Sequence, residues 1–127
     1  MALMPSEKVE PVLKSYNFRP ITHHTITDIE TFRQELAKVK KNRYATAKEE
    51  FSLGAMGIAV PISNREGLPV AVISMHVPTA SYTYDEFVAK HLGPLRSTAE
   101  EIAEAWNNLN TSPILEKDWP RINTTLL

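Results

Sequence analysis

The sequence predicts an α+β domain in which an antiparallel sheet is packed against helices. Two apolar runs, Met56–Ile62 and Leu68–Val77, flank a polar turn that contains Gly67, and this arrangement is typical of a β-hairpin. Asp28–Lys41 and the region that follows Thr83 instead repeat apolar residues at helical spacing. Strands joined by a short turn lie antiparallel, and amphipathic helices need an apolar surface to cover. The two signals together therefore favour helices on a hairpin-based sheet.

Composition limits the class of protein. The chain has 127 residues and a mass of 14.3 kDa, which suits one domain, and we expect that domain over residues 1–110 with a tail over 111–127. The net charge is -1, so no basic excess is present to neutralise phosphates, and we expect no direct nucleic-acid binding. There is no cysteine and no apolar run of bilayer length, which predicts a cytoplasmic protein with no membrane contact.

The region before the hairpin predicts two helices and one strand. Ser6 is the expected N-cap of a short helix that ends before Pro20. Thr27 is the expected cap of a second helix, Asp28–Lys41, because a glutamate follows it three residues later. A further strand is predicted over Tyr44–Glu50, so the sheet has three strands.

The hairpin strands have unlike faces, because alternate residues point to opposite sides. The first strand has a bulky face and a small one, formed by Ile58, Val60 and Ile62 and by Gly57, Ala59 and Pro61. In the second strand one face ends in two polar groups, and its members are Val70, Val72, Ser74 and His76. We expect the bulky face to pack against helices and the other face to need a cover or a ligand.

The C-terminal part predicts one long apolar helical seam. Thr83 and Glu86 form a capping box at its start, and Gly93-Pro94 predicts a kink or a break within it. Trp119 and its apolar neighbours in the tail are consistent with docking on the domain or with disorder.

The spacing of the potentially reactive residues does not favour a catalytic site or a metal site. Ser74 and His76 project from one strand face side by side, a spacing that does not bring a nucleophile and its base into contact. The adjacent pair Glu49 and Glu50 should point to opposite sides, one of them bracing the following loop. The histidines show no close ligand spacing, so we predict no metal and no cofactor; they are His23, His24, His76 and His91. A small enzyme using Ser74, His76 and one of these glutamates, or an interaction module, remains an alternative.

Several short motifs, taken in their order along the chain, resemble those of a known protein family. They are Thr25-Ile26-Thr27-Asp28, Leu36-Ala37-Lys38-Val39-Lys40, Tyr44-Ala45, Glu49-Glu50, Leu53-Gly54, Ala59-Val60-Pro61-Ile62, the Gly67 turn, Ala71-Val72-Ile73-Ser74, Pro78 and the helix from Leu95 to Ile102. In this order and spacing, Thr25–Trp106 resembles the C-terminal part of the effector-binding domain of IclR-type bacterial transcriptional regulators. The resemblance implies a partial GAF-like domain, a small-molecule effector that is an organic acid or aromatic compound, and no enzymatic activity. The family's DNA-binding winged helix-turn-helix domain has no counterpart in this sequence.

The resemblance also implies effector-binding positions, which are Ala47, Met56, Gly57, Ser74 and His76. The serine is kept, whereas the family often has an acidic residue at the position of Ala47, cysteine at Gly57 and a small polar residue at His76. These differences predict a roomier, less acidic pocket, in which a protonatable histidine favours an anionic ligand. Because the family's leading strands have no counterpart, we expect an open sheet edge and a homo-oligomer.

Overall fold

The computed structural model describes residues 1–108. The elements are α1 (Ser6–Ser15), α2 (Ile29–Asn42), β1 (Ala45–Lys48), β2 (Ala55–Ser63), β3 (Pro69–Pro78) and α3 (Tyr84–Asn108). The three strands form one antiparallel sheet in the order β1-β2-β3, which confirms the predicted α+β class. The predicted tail, residues 111–127, lies outside the described residues. Among residues 1–108, none of the helices combines the length and apolarity that crossing a membrane requires.

The hairpin between β2 and β3 closes as the sequence predicts. The backbone N–H of Asn64 donates to the carbonyl of Leu68 at 2.9 Å, and the Asn64 side chain accepts from the backbone N–H groups of Glu66 and Leu68. Gly67 adopts a φ of 77°, a left-handed conformation that costs glycine little because it has no Cβ. The turn thereby fixes the pairing register of the two strands, apart from an irregularity between Ile62 and Ser63.

The core lies between β2 and α3. The bulky face of β2 points to the helix and is almost completely buried, with Met56, Ile58, Val60 and Ile62 between 1% and 5% exposed. From α3, Phe87, Leu95 and Ala99 pack against this face. Burying a large apolar side chain of this kind contributes about 1.5–3 kcal/mol. The prediction that the bulky face packs against helices is confirmed.

The long helix α3 begins as predicted but does not break. The Thr83 backbone N–H donates to the Glu86 carboxylate at 2.9 Å, and Glu86 N–H returns a 3.4 Å bond to the Thr83 hydroxyl, which is a capping box. The sequence predicted a kink or a break at Gly93-Pro94, and the break is wrong, because α3 runs through both residues as one helix. Leu95 and Ala99 beyond the proline are buried against the sheet, and this packing offsets the backbone hydrogen bond that Pro94 cannot make.

The caps of α1 and α2 differ from the sequence prediction by one residue each. Ser6 is the first helical residue of α1 instead of its N-cap, and Pro5 precedes it without a side-chain cap. Asp28, not Thr27, caps α2, and its carboxylate accepts from Thr31 N–H at 2.7 Å. A carboxylate at this position accepts a charge-assisted bond and also opposes the positive end of the helix dipole.

A satellite cluster joins α1 to α2. Arg33 of α2 donates to the Glu10 carboxylate of α1, and this bond lowers the pKa of Glu10. Beside it, Phe18 makes edge-to-face contacts with the rings of Tyr16 and Phe32 at centroid distances of 4.9 Å and 5.4 Å. The helical pair is therefore held by an ion pair and an aromatic cluster separate from the main core.

Candidate functional site

The open face of the sheet carries most of the predicted site residues in two rows. Register places Ala47 opposite Gly57 and Gly57 opposite His76, so three residues from three strands form one line. The neighbouring line on the same face consists of Ala45, Ala59 and Ser74. Adjacent strands lie about 4.8 Å apart, so each row spans about 10 Å. We call these six residues the open-face rows.

The open-face rows lack a cover among the residues that the structure describes. Ala47, Ser74 and His76 are exposed, and Val72, the next residue of β3 on this face, is 65% exposed. The apolar side of α3 packs against the bulky face of β2. The contacts described for α1 and α2 join them through Arg33 and Glu10 and through the ring of Phe18, not through the open-face rows. The small side chains therefore form a shallow floor that is open to solvent.

The His76 ring occupies the space beside Gly57. A Cβ built on Gly57 would lie 2.5 Å from His76 Cδ2 and 2.7 Å from Nε2, closer than any side chain tolerates. Gly57 is buried although its face is open, because this ring covers it. The expected roomier pocket at Gly57 is therefore wrong for this conformation: the volume that glycine leaves is filled by the imidazole.

Met56 is the one predicted site residue that the structure does not bring together with the others. It is 2% exposed and belongs to the core cluster on the helix side of β2. Since it directly precedes Gly57 in the strand, its side chain must point to the opposite face. Met56 therefore packs in the core on the helix side of β2 and does not line the open face.

Ser74 and His76 are not arranged as a catalytic pair. Within residues 1–108, neither side chain makes a hydrogen bond to another side chain. Glu49, the candidate orienting group, is engaged elsewhere: its carboxylate accepts from Gly54 N–H at 2.8 Å and lies 3.4 Å from His24 Nε2. The part of the chain that the structure describes also contains no cluster of three potential metal ligands. Among residues 1–108, Ser74 and His76 therefore lack the mutual contact and the orienting third group that a nucleophile and its base require.

The loop that joins β1 to β2 lies at the same end of the sheet as the row of Ala47, Gly57 and His76. Glu49 starts this loop with a φ of 59°, and its carboxylate braces Gly54, as expected for one member of the glutamate pair. Phe51 and Leu53 at its tip are 79% and 59% exposed. This loop therefore exposes two large apolar side chains at that end of the sheet.

Two threonines in the segment before α2 hold this loop through hydrogen bonds to its backbone. The Thr22 hydroxyl donates to the carbonyl of Glu49 at 2.6 Å, and the Thr25 hydroxyl donates to the carbonyl of Glu50 at 2.5 Å. Thr25 also accepts from the backbone N–H of Thr22 at 2.9 Å, so both hydroxyls belong to one network. The sequence analysis missed this clamp; its signal was a pair of threonines three residues apart in a connection rich in polar side chains.

Glu50 faces away from the open face, into a cleft of about 300 Å³ between α2, β1 and the start of α3. Partial burial and the nearby Glu35 carboxylate raise the pKa of Glu50, and a backbone N–H bond from Lys48 opposes the shift. A second cavity of about 590 Å³ lies beside Tyr82 and Lys90. Neither cavity includes a residue of the open-face rows, so the predicted site is a surface and not one of these cavities.

Helices on one side of a three-stranded sheet, with small residues exposed on the other, define a class of α+β domain that can hold a small molecule on its open face. The chain belongs to the family described as bacterial transcriptional regulator IclR C-terminal, whose model matches residues 1–104.

Curated relatives of the chain are transcriptional regulators. The chain is 33% identical over 90 residues to the p-hydroxybenzoate hydroxylase transcriptional activator of Acinetobacter baylyi, a match that covers 71% of this chain and 33% of the relative. It is 27% identical over 103 residues to the HTH-type transcriptional regulator KdgR of Escherichia coli, covering 81% of this chain and 39% of that protein. The chain thus spans less than half the length of these regulators.

Solved structures show the same fold. Thermotoga maritima IclR matches with a TM-score of 0.76 and 32% identity, over 84% of this chain and 42% of that one. The inducer-binding domain of PobR from Acinetobacter, a double mutant in complex with 3-hydroxybenzoic acid, matches with a TM-score of 0.76 and 30% identity, over 80% of this chain and 58% of that one. These matches confirm the resemblance to the C-terminal part of the IclR effector-binding domain.

Proposed function

We propose that this chain is the effector-binding portion of an IclR-type regulator and that it binds a small aromatic or organic carboxylate on the open-face rows. The observation that carries the proposal is the alignment of Ala47, Gly57 and His76 across three strands, beside the row that ends in Ser74. The small side chains of Ala47 and Ala59 leave the sheet surface beside the His76 ring accessible, while the serine and histidine supply polar groups at one edge. This combination suits a flat ligand with one polar end.

The carboxylate preference rests on His76 and on the relatives. A protonated imidazole attracts an anion and donates hydrogen bonds from both ring nitrogens, and the Ser74 hydroxyl can donate a further one. PobR binds 3-hydroxybenzoic acid in its solved complex, and the relative in Acinetobacter baylyi is named for p-hydroxybenzoate hydroxylase. Hydroxybenzoates are therefore the first probes for this chain.

Isothermal titration calorimetry with 3-hydroxybenzoate and 4-hydroxybenzoate tests the proposal. We expect saturable binding that is weakened about tenfold or more by His76→Ala, since a hydrogen bond to a charged group contributes about 1.5–3 kcal/mol. His23→Ala is the matched control, because His23 is also an exposed histidine but lies outside the open-face rows. We expect the control to bind as the wild type does.

Three results would count against the proposal. Equal affinity of the wild type and His76→Ala would remove the proposed role of the histidine. No saturable binding of any aromatic or aliphatic carboxylate in a panel would contradict the ligand class itself. A binding signal that His23→Ala abolishes would move the site from the sheet to the loop that holds the stacked rings of His23 and His24.

We also propose that the chain acts in the cytoplasm as a sensing module, with neither catalysis nor DNA binding of its own. Support comes from the relatives, which are transcriptional regulators, and from the net charge of -1, which offers no basic excess for a phosphate backbone. We further propose that the chain self-associates, since large apolar side chains such as those of Phe51, Leu53 and Val72 are exposed among residues 1–108.

A further inference from the structure

A polar cleft lies on the helix side of the sheet, opposite the open-face rows. It has a volume of about 300 Å³ and is bounded by α2, β1 and the start of α3. Small-molecule sites in proteins measure roughly 300–1,000 Å³, so the cleft has room for a small ligand. Its charged side chains come from α2, which supplies Glu35 and Lys38, and from β1 and the loop after it, which supply Lys48 and Glu50.

The cleft exists because the helix side of the sheet changes from apolar to polar at β1. Thr46 of β1 is the cross-strand partner of Ile58, which is 1% exposed in the core. Lys48 is the partner of Met56, which is also buried there. Residues that pair across two strands point to the same face, so the polar side chains of β1 face the helices. None of the residues of α2 is buried, and the space between α2 and β1 is therefore left open.

The charges in the cleft comprise one ion pair and two further groups of opposite sign. Lys38 Nζ donates to the Glu35 carboxylate at 3.0 Å, so these two charges compensate each other. Within residues 1–108, neither Lys48 nor Glu50 forms an ion pair. Partial burial and the Glu35 carboxylate raise the pKa of Glu50, as expected for a negative charge without a cation beside it. A ligand that carries both signs of charge would compensate both groups.

Apolar and hydroxyl groups form the other walls of the cleft. Ile26 and Val39 line it and are half-buried, so they offer a small apolar surface. The hydroxyls of Tyr84 and Thr46 lie 3.0 Å apart and share a hydrogen bond, which joins the start of α3 to β1. The cleft therefore places an apolar wall near charged groups, and two of the elements around it are held together.

We propose that this cleft binds a small aliphatic α-amino acid as a zwitterion. The ammonium group of the ligand would lie against the Glu50 carboxylate, and the carboxylate of the ligand against the Lys48 ammonium. The aliphatic side chain would contact Ile26 and Val39. A zwitterion compensates both unpaired charges and leaves the existing ion pair of the cleft in place. A ligand with a carboxylate alone would instead add a negative charge beside two glutamates, and a simple amine would use only one of the two groups.

This site is separate from the open-face rows. Thr46 and Lys48 flank Ala47 in β1, and side-chain alternation places them on the opposite face from it. The cleft and the open-face rows therefore have no residue in common, although both include side chains of the same strand. The inference thus does not depend on the proposed function.

Isothermal titration calorimetry with L-valine and two analogues tests the charge requirement on the unmodified chain. Isobutylamine lacks the carboxylate of valine, and 3-methylbutanoate lacks its ammonium group. We expect saturable binding of L-valine and binding that is about tenfold or more weaker for each analogue, because each loses a charge-assisted hydrogen bond.

Two variants with matched controls test the residues. Glu50→Gln keeps the shape of the side chain but removes its charge, and we expect it to weaken L-valine binding about tenfold or more. Glu66→Gln, in the exposed turn between β2 and β3, is its control. Lys48→Met should weaken binding similarly, whereas Lys40→Met, at an exposed position of α2 outside the cleft, should bind as the wild type does.

The possible outcomes are distinct from those of the hydroxybenzoate titration. Equal affinities of L-valine and its analogues, or of the wild type and Glu50→Gln, would overturn the assignment of the two charged groups. No saturable binding of L-valine, L-leucine or L-alanine would overturn the inference as a whole. Binding of L-valine that is lost in His76→Ala but kept in Glu50→Gln would contradict the cleft as the site. None of these results changes what is expected for a carboxylate on the open-face rows.

Discussion

The imidazole of His76 lies over Gly57, so closely that a Cβ on the glycine would sit 2.5 Å from the ring. The two residues are direct cross-strand partners in β3 and β2. The only exposed ionisable side chain in the open-face rows therefore rests on the least bulky residue of those rows. A ligand that contacts the sheet at Gly57 must displace this ring, whereas a ligand that bonds to the ring can leave it in place.

Gly57→Ala should move the His76 ring with little loss of stability. The backbone of Gly57 is not in the left-handed region, and the atoms that the new methyl group meets belong to an exposed side chain that can rotate. We expect a clear change in the His76 ring resonances by NMR and a change in the free energy of unfolding below about 1 kcal/mol. Gly93→Ala is the control, since its Cβ would meet nothing within 4 Å. His76 resonances that stay unchanged in Gly57→Ala would contradict the described contact.

Phe87→Ala should destabilise the chain severely. Phe87 is 0% exposed and packs against the buried face of β2, so truncation removes a large apolar contact and leaves a cavity. We expect a loss of about 3–5 kcal/mol in the free energy of unfolding, measured with urea. Ile102→Ala on the same helix, 39% exposed in the wild type, should cost about 1 kcal/mol. Similar losses for both variants would place the core elsewhere.

Thr22→Val should loosen the loop between β1 and β2. Valine keeps the shape of threonine but removes the hydroxyl that donates to the Glu49 carbonyl at 2.6 Å. We expect a loss of about 1 kcal/mol in the free energy of unfolding and faster amide hydrogen exchange at residues 49–54. Ser15→Ala, which removes an exposed hydroxyl-to-carbonyl bond at the end of α1, is the control and should leave that exchange unchanged.

Glu50→Gln should stabilise the chain at neutral pH. Burial and the Glu35 carboxylate raise the pKa of Glu50, so the folded state favours its protonated form. The penalty for the charged form is complete above the folded pKa and disappears as the pH falls below the unfolded value. Unfolding curves between pH 7 and pH 4 should therefore show the variant more stable than the wild type at pH 7 and converging with it at pH 4. Glu66→Gln, in the exposed β2–β3 turn, is the control; a variant less stable than the wild type at pH 7 would reverse the assigned sign.

The sequence predicted the hairpin and most of its faces because alternation in a strand follows directly from backbone geometry. Val70 is the exception: it was assigned to the face of Ser74 and His76 but packs against the core, next to the register shift between Ile62 and Ser63. Because side chains alternate along a strand, four of the five predicted site residues share the open face. The same alternation contradicts the prediction for Met56, since it adjoins Gly57 and its side chain must point to the opposite face. The same alternation also indicates Ala45, two residues before Ala47, as a member of the face.

Features that depend on distant contacts were not predictable in this way. The continuity of α3 through Pro94 depends on packing of Leu95 against β2, which local propensity does not report. The position of the His76 ring depends on a rotamer, and the threonine clamp joins residues 27 positions apart. Sequence periodicity predicts which residues share a face of a strand or helix and the order of these elements along the chain. The positions of individual side chains depend on contacts that form only in the folded protein.

Mapping of ligand contacts by NMR is the most direct test of the central claim that the open-face rows bind a small carboxylate. The amide resonances would be followed in ¹⁵N-labelled protein during titration with 3-hydroxybenzoate. We predict saturable shifts concentrated at Ala47, Gly57, Ala59, Ser74 and His76. Saturable shifts centred instead on the cleft around Lys38 and Glu50, or no saturable shifts with any carboxylate tested, would contradict it.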